Sequence, residues 1–421
     1  MKLIADLQIH SRFSRATSSS LNLPNLEKYA KIKGVNLLGT GDFTHPKWLA
    51  ELKNELKEDG SGILTSKTGF NFVLQGEISN IYTQDGKARR IHTLLLARNF
   101  EVVEQINKAL LKKGRLDYDG RPIFGFSCIE LVEMMKEIDD DIEIIPAHAW
   151  TPWYGIFGSM SGFDSVEECF NEYSNKIHAI ETGLSSDPAM NWRLSKLDKY
   201  TLLSSSDAHS FWPWRLGREA NVFDIELSYD DLLNAIRKRK GFVETIEMWP
   251  HEGKYHYTGH RLCNVVLSPK EALELRNICP KCRKPLTVGV AQRVEELADR
   301  EEGFVPNQAV PFKNLIPLSE VIAGTTGHAV SSRQVWEEFY KLINEFGNEF
   351  NVVLDADEKQ LKKITSEKIA ENIIRNRNQK IPFKPGYDGV YGVPLFDGET
   401  SIKHKEEIQP RIKQVGLDEF L

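Results

Sequence analysis

Apolar and polar positions along the 421-residue chain follow two different periods. Short, nearly continuous apolar runs occur at 2–10 (KLIADLQIH), 35–42 (VNLLGTGD), 70–78 (FNFVLQGEI), 89–97 (RRIHTLLLA), 142–149 (IEIIPAHA), 178–183 (HAIETG), 200–207 (YTLLSSSD) and 242–248 (FVETIEM). Runs of this length read as buried strands. Amphipathic stretches at 23–33, 100–113, 128–138, 187–197 and 229–238 lie between most of them, the first with Pro24 in its opening turn and Gly34 closing it. Strands alternating with helices predict a largely parallel sheet. The pattern changes near residue 249. A compact stretch containing HEGKYHYTGHRLC and ICPKC gives way after 297 to charged, helical sequence. In 331–347, serines cap a helix that places Val335, Trp336, Phe339, Tyr340 and Ile343 on one face, and a helix pair follows over roughly 355–378. From Pro382 the chain is rich in Gly, Pro and charge and is expected to be extended or disordered. The expected organisation is an α/β region over 1–240, a small module over 241–296, a helical region over 297–381 and a flexible tail over 382–421.

Composition narrows the class only slightly. Hydrophobic residues make up 41% and charged residues 27%, and the net charge is −6, all ordinary for a globular protein. With no apolar run of membrane-spanning length and no leader pattern, the chain is expected to be cytoplasmic, with no membrane partner. Five cysteines are too few for a disulfide scaffold, and the grouping of three of them points to a metal.

Metal-type side chains stand at telling positions. His10, Asp42, Glu77, His148, Glu181 and Asp207 fall at the C-terminal ends of expected strands, His209 follows two residues later, and His92 lies nearer the start of its strand. In a β/α barrel that end carries the active site. Carboxylates and imidazoles gathered there suit divalent ions that lower the pKa of a bound water toward ~7 for phosphate-ester hydrolysis. Separately, His260-x2-Cys263 and Cys279-x2-Cys282 have the spacing of a four-ligand structural zinc, with His256 competing for the fourth place.

Trp150, Trp153 and Tyr154 follow His148, Trp192 stands beside Asn191, and Trp212 and Trp214 follow His209. These rings suit either core packing of long loops or stacking on nucleobases, with Asn171 or Asn191 reading a base edge. Arg15 and Arg193 are the bases nearest to ligand positions.

The ordered fragments QIH, TGD, QGE, RIH, PAH, IETG and SDAH resemble the PHP (polymerase and histidinol phosphatase) superfamily. That resemblance implies a distorted β/α barrel holding two or three divalent ions (Zn, Mg or Mn). The implied ligands are Gln8, His10, Asp42, Glu77, His92, His148, Glu181, Asp207 and His209. Glu77 is the implied bridging carboxylate, with Asp207, His148 and Glu77 in catalysis. Gln8 and Phe43 depart from the superfamily pattern, which has imidazoles there. Over its whole length the chain resembles the endonuclease Q family, in RATSSSLNLPNL (15–26), GTGDFTHP (39–46), QGEISNIY (75–82), RRIHTLL (89–95), IETGLSSDPAMNWRLS (180–195), LLSSSDAHS (202–210), LGREANVF (216–223), ICPKCRKPLTVGV (278–290) and VEELADREEGF (294–304). This implies cleavage of double-stranded DNA on the 5′ side of uracil, hypoxanthine, xanthine or an abasic site. Gln414-x-x-Leu417-x-x-Phe420-Leu421 resembles the peptide by which DNA enzymes dock on the PCNA sliding clamp, which implies an archaeal or eukaryotic source, and the family resemblance implies an archaeal DNA repair enzyme. A monomer is expected. The alternatives are a phosphatase acting on a small phosphate monoester and a non-catalytic DNA-binding adaptor.

Overall fold

The computed structural model describes residues 2–396. Its main sheet is mixed. In spatial order, Phe312–Asn314 runs parallel to Phe242–Glu247, which is antiparallel to Ala220–Asp224, itself antiparallel to Lys2–Asp6. Leu37–Gly39 and Asn71–Gln84 then continue parallel to Lys2–Asp6, followed by Lys87–Ala97 and Glu143–Pro146, both antiparallel to their neighbours. The largely parallel sheet expected from the apolar runs is thus corrected. Asp85 and Gly86 both adopt left-handed φ (52° and 72°), the geometry of a two-residue hairpin turn, and fold the two longest strands back on each other.

Backbone bonds lead from the last of these strands back to the first. Ala149 N donates to Glu181 O (2.9 Å), Ala179–Glu181 pairs in parallel with Thr201–Leu203, and His10 N donates to Ala208 O (3.0 Å). This path brings the C-terminal ends of strands distant in sequence to one place. Helices pack outside it: Tyr229–Lys238 buries Tyr229, Leu232, Leu233, Ala235 and Ile236 among strand residues such as Phe223 and Phe242.

Two expected boundaries move. Phe242–Glu247 belongs to the main sheet rather than to the small module, and Phe312–Asn314 extends that sheet from within the expected helical region. The small module is built on a hairpin of Thr258–His260 and Val265–Leu267. The region expected to be a flexible tail begins with ordered chain. Phe383–Lys384 pairs with Val393–Pro394, Gly386 N donates to His251 O (2.9 Å), and Phe396 is buried against Gly324. Tyr387 is also buried, so aromatic anchors outweigh the polar composition of this segment. Of the two readings open for Trp212 and Trp214, packing holds: they pack on each other and against Trp336 of the Arg333–Phe346 helix (ring centroids 5.2–5.3 Å apart), joining the two parts of the chain. Among the described residues no helix is long and apolar enough to cross a membrane.

Candidate active site

Two groups of donor atoms meet at the strand ends. In the first, His92 Nδ1 lies 2.8 Å from Glu77 Oε1 and 3.1 Å from His148 Nε2, and His148 Nε2 lies 3.5 Å from the same Glu77 oxygen. In the second, His10 Nε2 lies 3.0 Å from Asp207 Oδ1, and His209 Nδ1 is 3.8 Å from that oxygen. Glu77 Oε2 approaches His10 Nε2 at 3.1 Å, so one carboxylate faces both groups. Glu77 is fully buried.

The donor atoms fit a divalent ion. Tetrahedral ligands about 2.0–2.1 Å from a metal stand roughly 3.3 Å apart, close to the separations here. Burial, then the charge of Arg121, pushes His92 down to about 3, which leaves a neutral imidazole with a lone pair. Burial alone would raise Glu77 and Asp207, but the charge of Arg121 and hydrogen bonds from His10 and His148 hold Glu77 well below the carboxylate range, and the hydrogen bond from His10 helps to lower Asp207. Both carboxylates are therefore anionic. Outer partners fix two rings: His10 Nδ1 contacts Asp42 Oδ1 (3.0 Å), and His148 Nδ1 contacts Thr151 Oγ1 (2.9 Å). Such contacts select the tautomer that offers the other nitrogen to a metal. Tyr154 adds a ring 4.3 Å from His92, and its carbonyl accepts from His92 N (2.9 Å).

Several expected site residues have other parts. Asp42, expected as a ligand, faces the far nitrogen of His10, and its second oxygen accepts from Ser11 N, Ser11 Oγ and Ser14 Oγ. Glu181, also expected as a ligand, accepts from the His148 backbone N–H (2.8 Å) and lies outside both groups. Gln8 is buried outside both groups too, and its amide has no hydrogen-bond partner among the described residues. Trp150 and Asn191, expected at a base pocket, are buried and bonded to each other (Nε1 to Oδ1, 2.8 Å). The Asn191 amide nitrogen is taken by Ser186 and Asp187, so neither residue is free to read a base. Trp192 packs edge-on against Phe312. Arg193 ion-pairs with Glu295 (2.7 Å), and its carbonyl accepts from Asp299 N and Arg300 N, which makes it a strut to the segment after the zinc module. Asn171 is an exposed helix C-cap at φ 46°. Trp153 lies edge-on to Tyr255 at 5.5 Å, and Arg15, 59% exposed, pairs with Asp119 (3.1 Å). Gln414, Leu417, Phe420 and Leu421 lie outside the described residues.

Arg121 was not anticipated. Its Nη1 stands 3.3 Å from Glu77 Oε2, and burial together with its charge lowers an imidazole in each group, His92 and His209. Its loop approaches so closely that a Cβ on Gly120 would meet Asp42 Oδ2 at 2.2 Å and Ser14 Oγ at 2.3 Å. A glycine that admits such an approach, next to a basic residue, was the available signal.

In the small module the donor atoms of His260, Cys263, Cys279 and Cys282 all lie within 4.8 Å of one another, with Cys282 Sγ 3.2 Å from His260 Nδ1. The turn between the last two cysteines is held by Cys279 N to Lys284 O (2.8 Å) and Arg283 N to Cys279 O (2.9 Å). His256 lies outside this group, buried and packed on His251 and Tyr257, so the fourth position falls to His260.

Residues 317–380 match the family described as the MJ0043 C-terminal domain. The uncharacterized protein MJ0043 of Methanocaldococcus jannaschii is 35% identical over 313 residues, covering 71% of this chain but 37% of that protein, so the match spans little more than a third of that relative. The uncharacterized protein YqxK of Bacillus subtilis is 28% identical over 412 residues, 93% of this chain and 98% of YqxK. Among solved structures, the lesion-specific endonuclease PfuEndoQ from Pyrococcus furiosus is 32% identical, with a TM-score of 0.85 over 94% of this chain and 95% of that one. An endonuclease Q bound to a 27-mer duplex with an abasic lesion at its active site is 31% identical, with a TM-score of 0.84 over 96% and 99%. With such identity sustained over nearly the full length of both chains, this protein belongs to the endonuclease Q family.

Proposed function

We propose that this protein is a metal-dependent DNA repair endonuclease that hydrolyses the phosphodiester on the 5′ side of a damaged nucleotide. The observation that carries the reading is the likeness, over nearly the whole chain, to an endonuclease Q whose duplex holds an abasic lesion at the active site. The strand path returning to Lys2–Asp6 supports a PHP-type barrel. The substrate class extends to uracil, hypoxanthine and xanthine as well as abasic sites.

Glu77, His92 and His148 would hold one divalent ion, and His10, Asp207 and His209 a second with Glu77 shared. When bound, such ions acidify water and offset charge on phosphoryl oxygens. The mixture of imidazole and carboxylate suits Zn or Mn, and the carboxylate-bearing second group also suits Mg. Asp42 and Thr151 keep the His10 and His148 imidazoles oriented. Arg121 supplies a fixed positive charge for the phosphate. His260, Cys263, Cys279 and Cys282 would hold a structural zinc. The final residues Gln414, Leu417, Phe420 and Leu421 dock on a PCNA-type clamp, and the enzyme acts as a cytoplasmic monomer.

The test is incubation of end-labelled duplexes bearing an abasic site, uracil, hypoxanthine or normal bases with Mg, Mn or Zn, alongside an EDTA control. Cutting 5′ of the lesion that EDTA abolishes is the expected result. Turnover of a sugar phosphate with no cutting of damaged DNA would instead establish the phosphatase reading.

A further inference from the structure

Asp207 holds a non-glycine φ of 47°. Left-handed backbone at such a residue is strained and persists only where its surroundings over-determine it. Here the residue before it is held at three points. Ser206 N donates to Asp6 Oδ1 (3.0 Å), and Ser206 Oγ donates to Asp6 Oδ2. The Ser206 carbonyl accepts from Arg218 Nε (3.3 Å) and Nη2 (3.2 Å). Asp6 Oδ2 also accepts from Gly217 N (2.9 Å), so one fully buried carboxylate ties together both ends of the 206–217 loop that carries Asp207 and His209.

The same device recurs across the site. His148, at φ 32°, has its own N–H held by the buried Glu181 carboxylate. In each case a buried acid that contributes no atom to the donor groups grips the backbone at a strained residue that does. Asp6 lies on the first strand, four residues before His10, so the grip also fixes the spacing between the two sides of the second donor group.

We propose that Asp6 and Arg218 are positioning residues that preset Asp207 for metal binding by clamping the Ser206 peptide. The proposal rests on the reading of Asp207 as a ligand, and the experiment separates the two. Mn2+ binding to the full-length, zinc-loaded chain, with the active-site ions stripped, is measured by titration calorimetry for the wild type and for Asp207→Ala, Asp6→Asn, Arg218→Lys and Ser206→Ala. Cooperative melting and near-UV circular dichroism report folding of each variant.

Loss of an outer-shell partner typically weakens metal affinity by about 10–100-fold. That range is expected for Asp6→Asn and Arg218→Lys. Ser206→Ala keeps the backbone N–H to Asp6 and should lose only a few-fold. If Asp207→Ala binds Mn2+ like the wild type, the ligand reading itself fails. If Asp207→Ala weakens binding while folded Asp6→Asn and Arg218→Lys match the wild type, the clamp is overturned and the ligand reading stands. Should Asp6→Asn not fold, Arg218→Lys and Ser206→Ala decide the matter. Each leaves the Asp6 carboxylate in place, and wild-type affinity in both refutes the proposal.

Discussion

Replacing Arg121 by alanine tests whether this unanticipated residue acts on the reaction or only on the protein. Its Nη1 stands 3.3 Å from Glu77 Oε2, and its nitrogen donors are held by a loop that Gly120 presses onto Asp42. At an effective dielectric near 20, a charge pair at this distance interacts by about 5 kcal/mol before desolvation is subtracted. That gross attraction belongs to the protein without active-site ions. With ions held by the proposed donor groups, the guanidinium would be left to face a phosphate. Removing one preorganised donor of this kind costs about 10²–10³ in kcat. Arg121→Ala should therefore lose about 10²–10³-fold in single-turnover cutting of an abasic duplex, with Mn2+ affinity unchanged or tighter because a competing cation is gone. Arg121→Lys should recover part of the rate, since it restores a charge without the planar fork. Single-turnover kinetics across a Mn2+ series give both quantities. A folded Arg121→Ala enzyme within a few-fold of the wild-type rate, or one fully restored by excess metal, would refute the reasoning.

The small module offers a second test: its core is Val265, Cys279 and Leu286 packed with Cys263, Leu267 and Cys282, so three of its six members are proposed zinc ligands and chelation should leave little to hold it. Hydrogen exchange over 258–288 is expected to become fast in Cys279→Ser or after zinc removal, and unchanged protection would show the module folds without metal. Stability should also fall with rising pH through Glu247, whose burial raises its carboxyl to about 8 from an unfolded value near 4.5. In that window the folded state binds the extra proton, so unfolding becomes easier by about 1.4 kcal/mol per pH unit; Glu247→Gln should flatten that part of the Tm-against-pH curve, and an unaltered slope would dismiss this assignment. Deleting 414–421 should abolish binding to a PCNA-type clamp in a pull-down while leaving cleavage of free duplex intact; clamp binding that survives would place the docking peptide elsewhere.

The donor residues were legible because a strand fixes where its last side chain goes, and His10, Glu77, His148 and Asp207 each stand at or just beyond the end of an apolar run or within a long one. Which carboxylates join the clustered donor atoms and which face an imidazole or an amide was not legible. Asp42 and Glu181 carry the same chemistry as Asp207, and only the geometry separates them. Loop aromatics were ambiguous for a related reason: no period tells whether a ring after a strand turns inward. Trp150 turned in and bonded Asn191, whereas Tyr154, four residues later, came to rest on His92. Strand direction was misread at 70–97, where two apolar runs resemble buried parallel strands. The Asp85–Gly86 pair between them carried the contrary signal.

Glu77 explains why departures at Gln8 and Phe43 need not weaken the centre. Each of its oxygens faces a different donor group, so the two groups are joined through one carboxylate rather than through the first strand's opening residues. Gln8 lies outside both groups, and Phe43 is wholly buried with its ring against Gly76, immediately before Glu77. An apolar ring at that place packs the backbone that presents the shared carboxylate, whereas an imidazole there would have required a polar partner. The substitution that looks like a missing ligand in the sequence is, in the fold, part of what holds the carboxylate that faces both donor groups.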